Sequence, residues 1–271
     1  MTGCANPGSA TPILPPTPAY HDTHCTLYHG DARCLAHTPD ASVHLVVTSP
    51  PYWDLKNYRT RRQMGLGQSY EEYLRQITLV GRECHRVLQP GRFLCWVCGT
   101  RVSDGDMKHI PADSLRAFEQ IGFTFKKEII WVKPKGTQGL WQRGTTQYLK
   151  DKPFPTCANL NIQHEYILIL QREGSFEPPD DHRLDEDFIK ETAWSVWQLP
   201  VSRTKGHPAP FPLEIPRRLI EMFTWPGELV LDPFAGTGTT LLAAREAGRR
   251  GVGYEISREF CELAAETLGG Q

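Results

Sequence analysis

The 271-residue chain contains no apolar run approaching a membrane span, which needs about 20 consecutive apolar residues. It also shows no secretory signal-peptide pattern, so a cytoplasmic protein of bacterial type, with no membrane partner, is expected. An excess of charge is missing too, since 30 Lys and Arg stand against 31 Asp and Glu, a net charge of −1. The total therefore does not mark a nucleic-acid binder, although local clusters rather than the sum set an electrostatic footprint. Among eight cysteines, Cys95-x-x-Cys98 has no second pair of matching spacing, so no metal site is expected. That pair lies in Phe93-Leu94-Cys95-Trp96-Val97-Cys98, which reads as a buried strand. Free thiols there pack as small hydrophobes.

What is present suits one large α/β domain carrying insertions. Residues 1–22 hold Pro7, Pro12, Pro15, Pro16 and Pro18 among small polar residues, the pattern of a flexible arm. Residues 23–271 read as a single domain. Within it, the apolar run Val43-His44-Leu45-Val46-Val47 predicts a buried parallel strand. It ends at Thr48-Ser49-Pro50-Pro51-Tyr52, where two prolines remove backbone donors and stiffen the chain. The corner offers acceptors, the Ser49 hydroxyl and the Ser49 and Pro50 carbonyls, beside the Tyr52 ring. It suits a flat base whose exocyclic amine gives hydrogens to the acceptors while the ring stacks. A Pro-rich turn with an aromatic packed over it is the plain alternative for this stretch alone.

A second stretch decides between them. Glu228-Leu229-Val230-Leu231-Asp232-Pro233-Phe234-Ala235-Gly236-Thr237-Gly238-Thr239-Thr240 reads as strand, glycine turn and helix start. Gly251-Val252-Gly253-Tyr254 then forms a strand ending at Glu255. Glycines let backbone approach a ligand, and an acid at the next strand's end can bind ribose hydroxyls. The full G-x-G-x-x-G pattern and a Walker lysine are both absent, so pyrophosphate cradling is not favoured.

Together, T-S-P-P-Y and D-P-F-A-G-T-G-T-T resemble the amino-methylating DNA methyltransferases, over roughly residues 25–265. The resemblance implies S-adenosyl-L-methionine as cofactor and methylation of cytosine N4 or adenine N6 in double-stranded DNA. It also implies a Rossmann-like, mostly parallel seven-stranded sheet with one antiparallel strand, helices on both faces and a small recognition insertion. The catalytic motif comes first, as in the β-type order of that family, and S-P-P-Y resembles its N4-cytosine members. No Pro-Cys dipeptide occurs, whereas carbon-5 cytosine methyltransferases place their nucleophile in that setting. Ser49, Pro50, Pro51 and Tyr52 are the implied catalytic residues, without a covalent intermediate. Asp232, Pro233, Phe234, Ala235, Gly236, Thr237, Gly238 and Thr239, with Thr48 and Glu255, are the implied cofactor contacts. Asp232 is assigned to the ammonium and Glu255 to the ribose. His207, Pro208 and Phe211 match a segment that closes over the methionine end, and Asp31 matches one near the adenine. Asp31 reads equally well as a turn or capping aspartate.

Basic residues cluster after the corner, at Arg59, Arg61 and Arg62, and again at Lys133, Lys135, Arg143, Lys150 and Lys152. With Trp141 and Tyr148 interleaved, the 133–160 loop is the preferred phosphate contact, a solvated loop being the alternative for both clusters. Residues 171–203 are short and acidic and fall where such enzymes carry a recognition region, so recognition is expected to be shared with that loop. The capping box Ser69–Glu72 starts a helix near Tyr70, ended by Gln89-Pro90-Gly91 before a strand at Arg92–Cys98. Further helices are read at 112–121, 213–223, 241–247 and 258–268. Phe123–Val132 and Glu165–Leu170 read as an antiparallel pair. The target base cannot be reached inside a duplex, which implies base flipping. The rivals are N6-adenine methylation, an RNA or protein amine methyltransferase, a nicotinamide oxidoreductase and an inactive DNA-binding module. Enzymes of this arrangement can form homodimers and act within restriction–modification pairs on nucleoid DNA.

Overall fold

In the computed structural model the described residues are 16–58, 60, 62–103, 106–134, 151, 160, 162–179, 183–202 and 211–270. Among them, eleven strands and six helices are present. The organising strand is β3 (Val43–Thr48), which pairs in parallel with β10 (Leu229–Asp232) through Leu45–Val230 and Val46–Leu231. Beyond β10 lie β11 (Arg250–Glu255), β2 (Cys25–His29) and the edge strand β1 (Thr17–His21). On the other side of β3 lie β4 (Leu88–Cys98), β8 (His164–Arg172), β7 (Phe123–Val132) and β9 (Val196–Gln198). β5 (Arg101–Ser103) and β6 (Asp106–Lys108) form a separate hairpin.

The seven inner strands, β2 to β7 in spatial order, match the expected sheet, with β8 alone running against the rest. Two edge strands add to it. β1 pairs antiparallel with β2, so Thr17–His21 are strand rather than arm. Pro18 is tolerated because an edge strand does not need every N–H. β9 joins β7 in parallel, so part of the acidic 171–203 region is sheet.

Side-chain alternation splits the core into two layers. Val46, Leu94 and Trp96 pack under α1 (Tyr70–Val87) and α2 (Ile110–Glu119). Leu45, Val47, Cys95 and Val97 pack under α4 (Glu214–Phe223) and α5 (Thr239–Glu246). α6 (Arg258–Gly269) covers Cys25 and Leu27 near the β2 edge. α3 (Glu186–Thr192), capped by Asp185, leads into β9. Five cysteines, Cys25, Cys84, Cys95, Cys98 and Cys261, are free and buried.

The Ser69 cap is as expected, its side chain accepting from Glu72 N at 3.2 Å. Gln89-Pro90-Gly91 differs from its reading as a helix stop followed by a turn. β4 begins at Leu88, immediately after α1, and Leu88 already pairs with Val43. Gly91 has φ 78°, and the β3–β4 register shifts there, so these turn formers make a bulge inside a strand. α2 starts at Ile110, earlier than read, because Pro111 sits in its first turn, where a missing N–H costs nothing.

Candidate active site

β3 and β10 end side by side, and the chain leaves β3 towards one flank of the sheet and β10 towards the other. That reversal opens a crevice at the carboxyl ends of the strands. The Ser49–Tyr52 corner forms one wall and the Asp232–Gly238 turn the other.

The corner is fixed from behind. Tyr73 Oη, from the buried face of α1, donates to the Pro51 carbonyl at 2.7 Å. Trp53 has φ 51°, uncommon for a residue with a side chain, and its Nε1 donates to Gln68 O at 2.8 Å. Gly65 has φ 93° and lies so close that an added Cβ would sit 2.3 Å from Trp53 O. Only glycine fits there.

The two hydroxyls of the corner form a chain. Ser49 Oγ lies 3.3 Å from Tyr52 Oη, and Tyr52 Oη donates to Glu165 Oε2 at 2.8 Å. Lys133 Nζ forms an ion pair with Glu165 Oε1. Burial, then the Glu165 charge, pushes the Tyr52 hydroxyl well above its usual range. Tyr52 therefore stays protonated and must be the donor to Glu165. An added Cβ at Gly99 would sit 3.2 Å from both Tyr52 Cε2 and Glu165 Cγ. The missing side chain makes room for this contact.

In the opposite wall, Asp232 is buried and its carboxylate accepts from three donors. They are Thr48 Oγ1 at 2.6 Å, Thr240 Oγ1 at 2.6 Å and Phe234 N at 3.0 Å. One carboxylate thus ties β3, the turn and α5 together. Burial raises it to about 6, against these lowering bonds. Glu255 ends β11, accepting from Gly236 N at 2.9 Å and Ser257 N at 2.7 Å, and burial raises it to about 7. Gly238 has φ 83° at the start of α5. At Gly253 a Cβ would come within 2.9 Å of Ala235 Cβ, so this glycine lets the turn lie flat on β11.

The other sequence-predicted residues fall as follows. Pro50, Pro233, Ala235, Gly236 and Thr237 are buried in the two walls, while Phe234 and Thr239 are half-buried. Phe234 lies 6.2 Å from Trp96, edge to face. Asp31 is buried, and both its oxygens are taken by Arg33, through its backbone N, Nε and Nη2. It serves the turn. Phe211 is half-buried against the α4–α5 core layer. Arg62 is exposed. Lys133 is not displayed to solvent with the basic loop but is paired inside the corner. Arg59, Arg61, Lys135, Arg143, Lys150, Lys152, His207 and Pro208 lie outside the described residues. Sequence reasoning missed Glu165 and Tyr73. Each looks like an ordinary strand or helix residue until the sheet register brings it to the corner.

Among the described residues, no group of three or more His, Cys, Asp or Glu could hold a metal ion. None of their helices is long and apolar enough to cross a membrane.

Comparison with known proteins agrees with this geometry. Residues 43–266 match the N6/N4 family model described as DNA methylase. Type II methyltransferase M.MjaI of Methanocaldococcus jannaschii is 34% identical over 286 residues, covering 91% of this chain and 92% of that protein. A DNA modification methylase of Thermus thermophilus, solved in complex with S-adenosyl-L-methionine, is 35% identical with a TM-score of 0.71. That match covers 90% of this chain and 93% of the other. The cytosine-N4-specific PvuII DNA methyltransferase has the same fold, with a TM-score of 0.71 at 20% identity over 92% of this chain and 87% of its own.

Proposed function

The chain belongs to the N6/N4 DNA methylase family, and we propose that it methylates the exocyclic N4 of cytosine in a specific duplex DNA sequence. It is an S-adenosyl-L-methionine-dependent DNA methyltransferase. The crevice residues fit that cofactor. A carboxylate has about four acceptor sites, so Glu255 retains capacity for ribose hydroxyls while holding Gly236 N and Ser257 N. Asp232, with three donors, retains capacity for an ammonium. Phe234 and the glycine turn supply close walls. When bound, the cofactor supplies an electrophilic methyl group on its sulfonium.

The observation that carries the cytosine reading is a serine at the corner. Its hydroxyl is half-buried and already engaged with Tyr52, leaving lone pairs for an amine N–H. The amine nitrogen of cytosine is a weak nucleophile, its lone pair being delocalised into the ring. Accepting its hydrogens at Ser49 Oγ and the Pro50 carbonyl aligns that lone pair and offsets the positive charge of attack. The base must leave the helix to reach the corner, at a cost of a few kcal/mol, and stacking on Tyr52 returns about 1–3 kcal/mol. Phosphate contacts from Arg59, Arg61, Arg62, Lys135, Arg143, Lys150 and Lys152 would supply the rest. Similarity to a type II methyltransferase supports a place in a restriction–modification pair acting on cytoplasmic DNA. N6-adenine methylation is the second reading, because both amines present the same geometry and the family contains both.

Labelled cofactor and unmethylated genomic DNA, followed by nucleoside digestion and mass identification, test the proposal. N4-methylcytosine is the expected product. N6-methyladenine would overturn the choice of base and keep the fold, and no transfer to DNA would overturn both readings.

A further inference from the structure

We propose that Glu165, held by Lys133, is a positioning residue that sets the polarity of the catalytic serine and takes the proton released by the substrate amine. The inference rests on the reading of Ser49 as the amine's acceptor.

Lys133 has only donors, and an ionised carboxylate has only acceptors. Their pairing fixes the Glu165 carboxylate in place, and both side chains are largely enclosed. Tyr52 must therefore spend its single proton on Glu165 Oε2, at 2.8 Å. Its oxygen is left as an acceptor, and the group facing it at 3.3 Å is the Ser49 hydroxyl. Ser49 in turn spends its proton on Tyr52, so its free lone pairs point away from the chain of hydroxyls. A serine in isolation could rotate and offer the amine either a proton or a lone pair. Here only the lone pair is offered.

The same chain gives the proton a route. As the amine nitrogen bonds to the methyl carbon, the bond from that carbon to sulfur breaks and sulfur keeps the electron pair. The nitrogen then carries one hydrogen too many. That hydrogen passes to Ser49 Oγ, the Ser49 proton to Tyr52 Oη and the Tyr52 proton to Glu165 Oε2. The products are a neutral methylamino group and a neutral carboxylic acid, and both hydroxyls are restored. Losing the proton returns the nitrogen lone pair to the ring, which favours the direction of transfer. Glu165, on β8, and Lys133, the residue after β7, lie 32 residues apart in sequence and meet where these antiparallel strands join. Gly99, the residue after β4, leaves the space through which Tyr52 reaches Glu165.

The test compares E165Q, Y52F and the double variant with S49A. It reads single-turnover methyl transfer, melting temperature, and equilibrium affinities for cofactor and DNA. E165Q keeps the shape and cannot take the proton, and Y52F keeps the stacking ring without the hydroxyl. Each is expected to slow transfer at least tenfold while both affinities stay within about twofold, general acid–base groups being typically worth 10²–10⁴. The double variant should be no slower than the slower single, because both interrupt one relay. A near-wild-type rate in E165Q, or losses that multiply in the double variant, would overturn the proposal. If E165Q fails to fold, Y52F decides alone, and a full rate there overturns it. S49A at full rate would instead sink the corner reading itself, whereas slow S49A with fast E165Q removes only the relay.

Discussion

With Ser49 proposed as acceptor for the substrate amine, Ser49→Ala should lower single-turnover transfer about 10²–10³-fold, as loss of one preorganised polar contact does elsewhere. Cofactor affinity should be unchanged, and a rate loss matched by an affinity loss would contradict the assignment. Asp232 and Glu255 make a second prediction, about pH. Burial raises them to about 6 and about 7, while unfolded carboxylates titrate near 4. The folded state thus holds extra protons between those values. The stability these two groups contribute is complete below about pH 4 and is lost as pH rises through 6 and 7. Cofactor contacts to the ionised forms act in the opposite sense. Affinity for S-adenosyl-L-methionine should therefore rise from about pH 5.5 to 8, by at most about tenfold per unit for each proton released. Titration calorimetry across that range checks it, and Glu255→Gln should flatten the upper part. A pH-independent affinity in the unmodified protein would remove both carboxylates from the contact list. At this scale the two motifs were legible because each carries its chemistry in consecutive residues. Glu165 was not, and Lys133 looked like one more cation of a basic loop. Their roles exist only through the β7–β8 pairing.

Helices and strands hold the corner through a few contacts whose loss can be measured. Tyr73→Phe leaves the Pro51 carbonyl without its 2.7 Å partner from α1. A fully buried acceptor left unsatisfied costs about 1–3 kcal/mol, and Pro51 is half-buried, so urea unfolding should report a loss at or below the low end of that range together with a reduced transfer rate. Gly81 lies inside α1, where alanine would ordinarily stabilise a helix by about 1 kcal/mol. Here its Cβ would fall 2.5 Å from the Phe118 ring of α2. Overpacking of that kind costs about 1–3 kcal/mol, so Gly81→Ala should lower the melting temperature, and a rise would show that α2 can yield. Most elements were legible from apolar periodicity and caps, α1 above all, since Ser69 and Glu72 announce its start. Gln89-Pro90-Gly91 misled because turn formers mark a bulge as readily as a turn. α3 and β9 were missed because they span only seven and three residues, too few to show a period.

The whole molecule is two halves that meet along β3 and β10. Thr48 and Asp232 are hydrogen-bonded across 184 residues of sequence, and β3 has β10 as one of its two neighbours. Residues 23–170 alone would expose Leu45 and Val47, which α4 and α5 cover. That fragment should lack a cooperative transition by circular dichroism until residues 204–271 are supplied. Cooperative unfolding of the fragment by itself would disprove the dependence. The parallel sheet was legible because its central strands, β3 and β10, are short, mainly apolar runs, and the meeting of the motifs followed from strand order. The placement of β8 has one more consequence. β7 runs towards the catalytic edge and β8 returns from it, so the segment joining them starts and finishes beside Glu165. Its stems are knotted by Lys133 N to Gln163 O at 2.9 Å and Gln163 Nε2 to Lys133 O at 3.0 Å. What lies between these stems can therefore change in length or composition without moving Lys133 or Glu165. With recognition read as shared between this segment and 171–203, a chimera carrying a relative's segment in place of 135–161 should shift towards that relative's preference among DNA sites and keep its own choice of base.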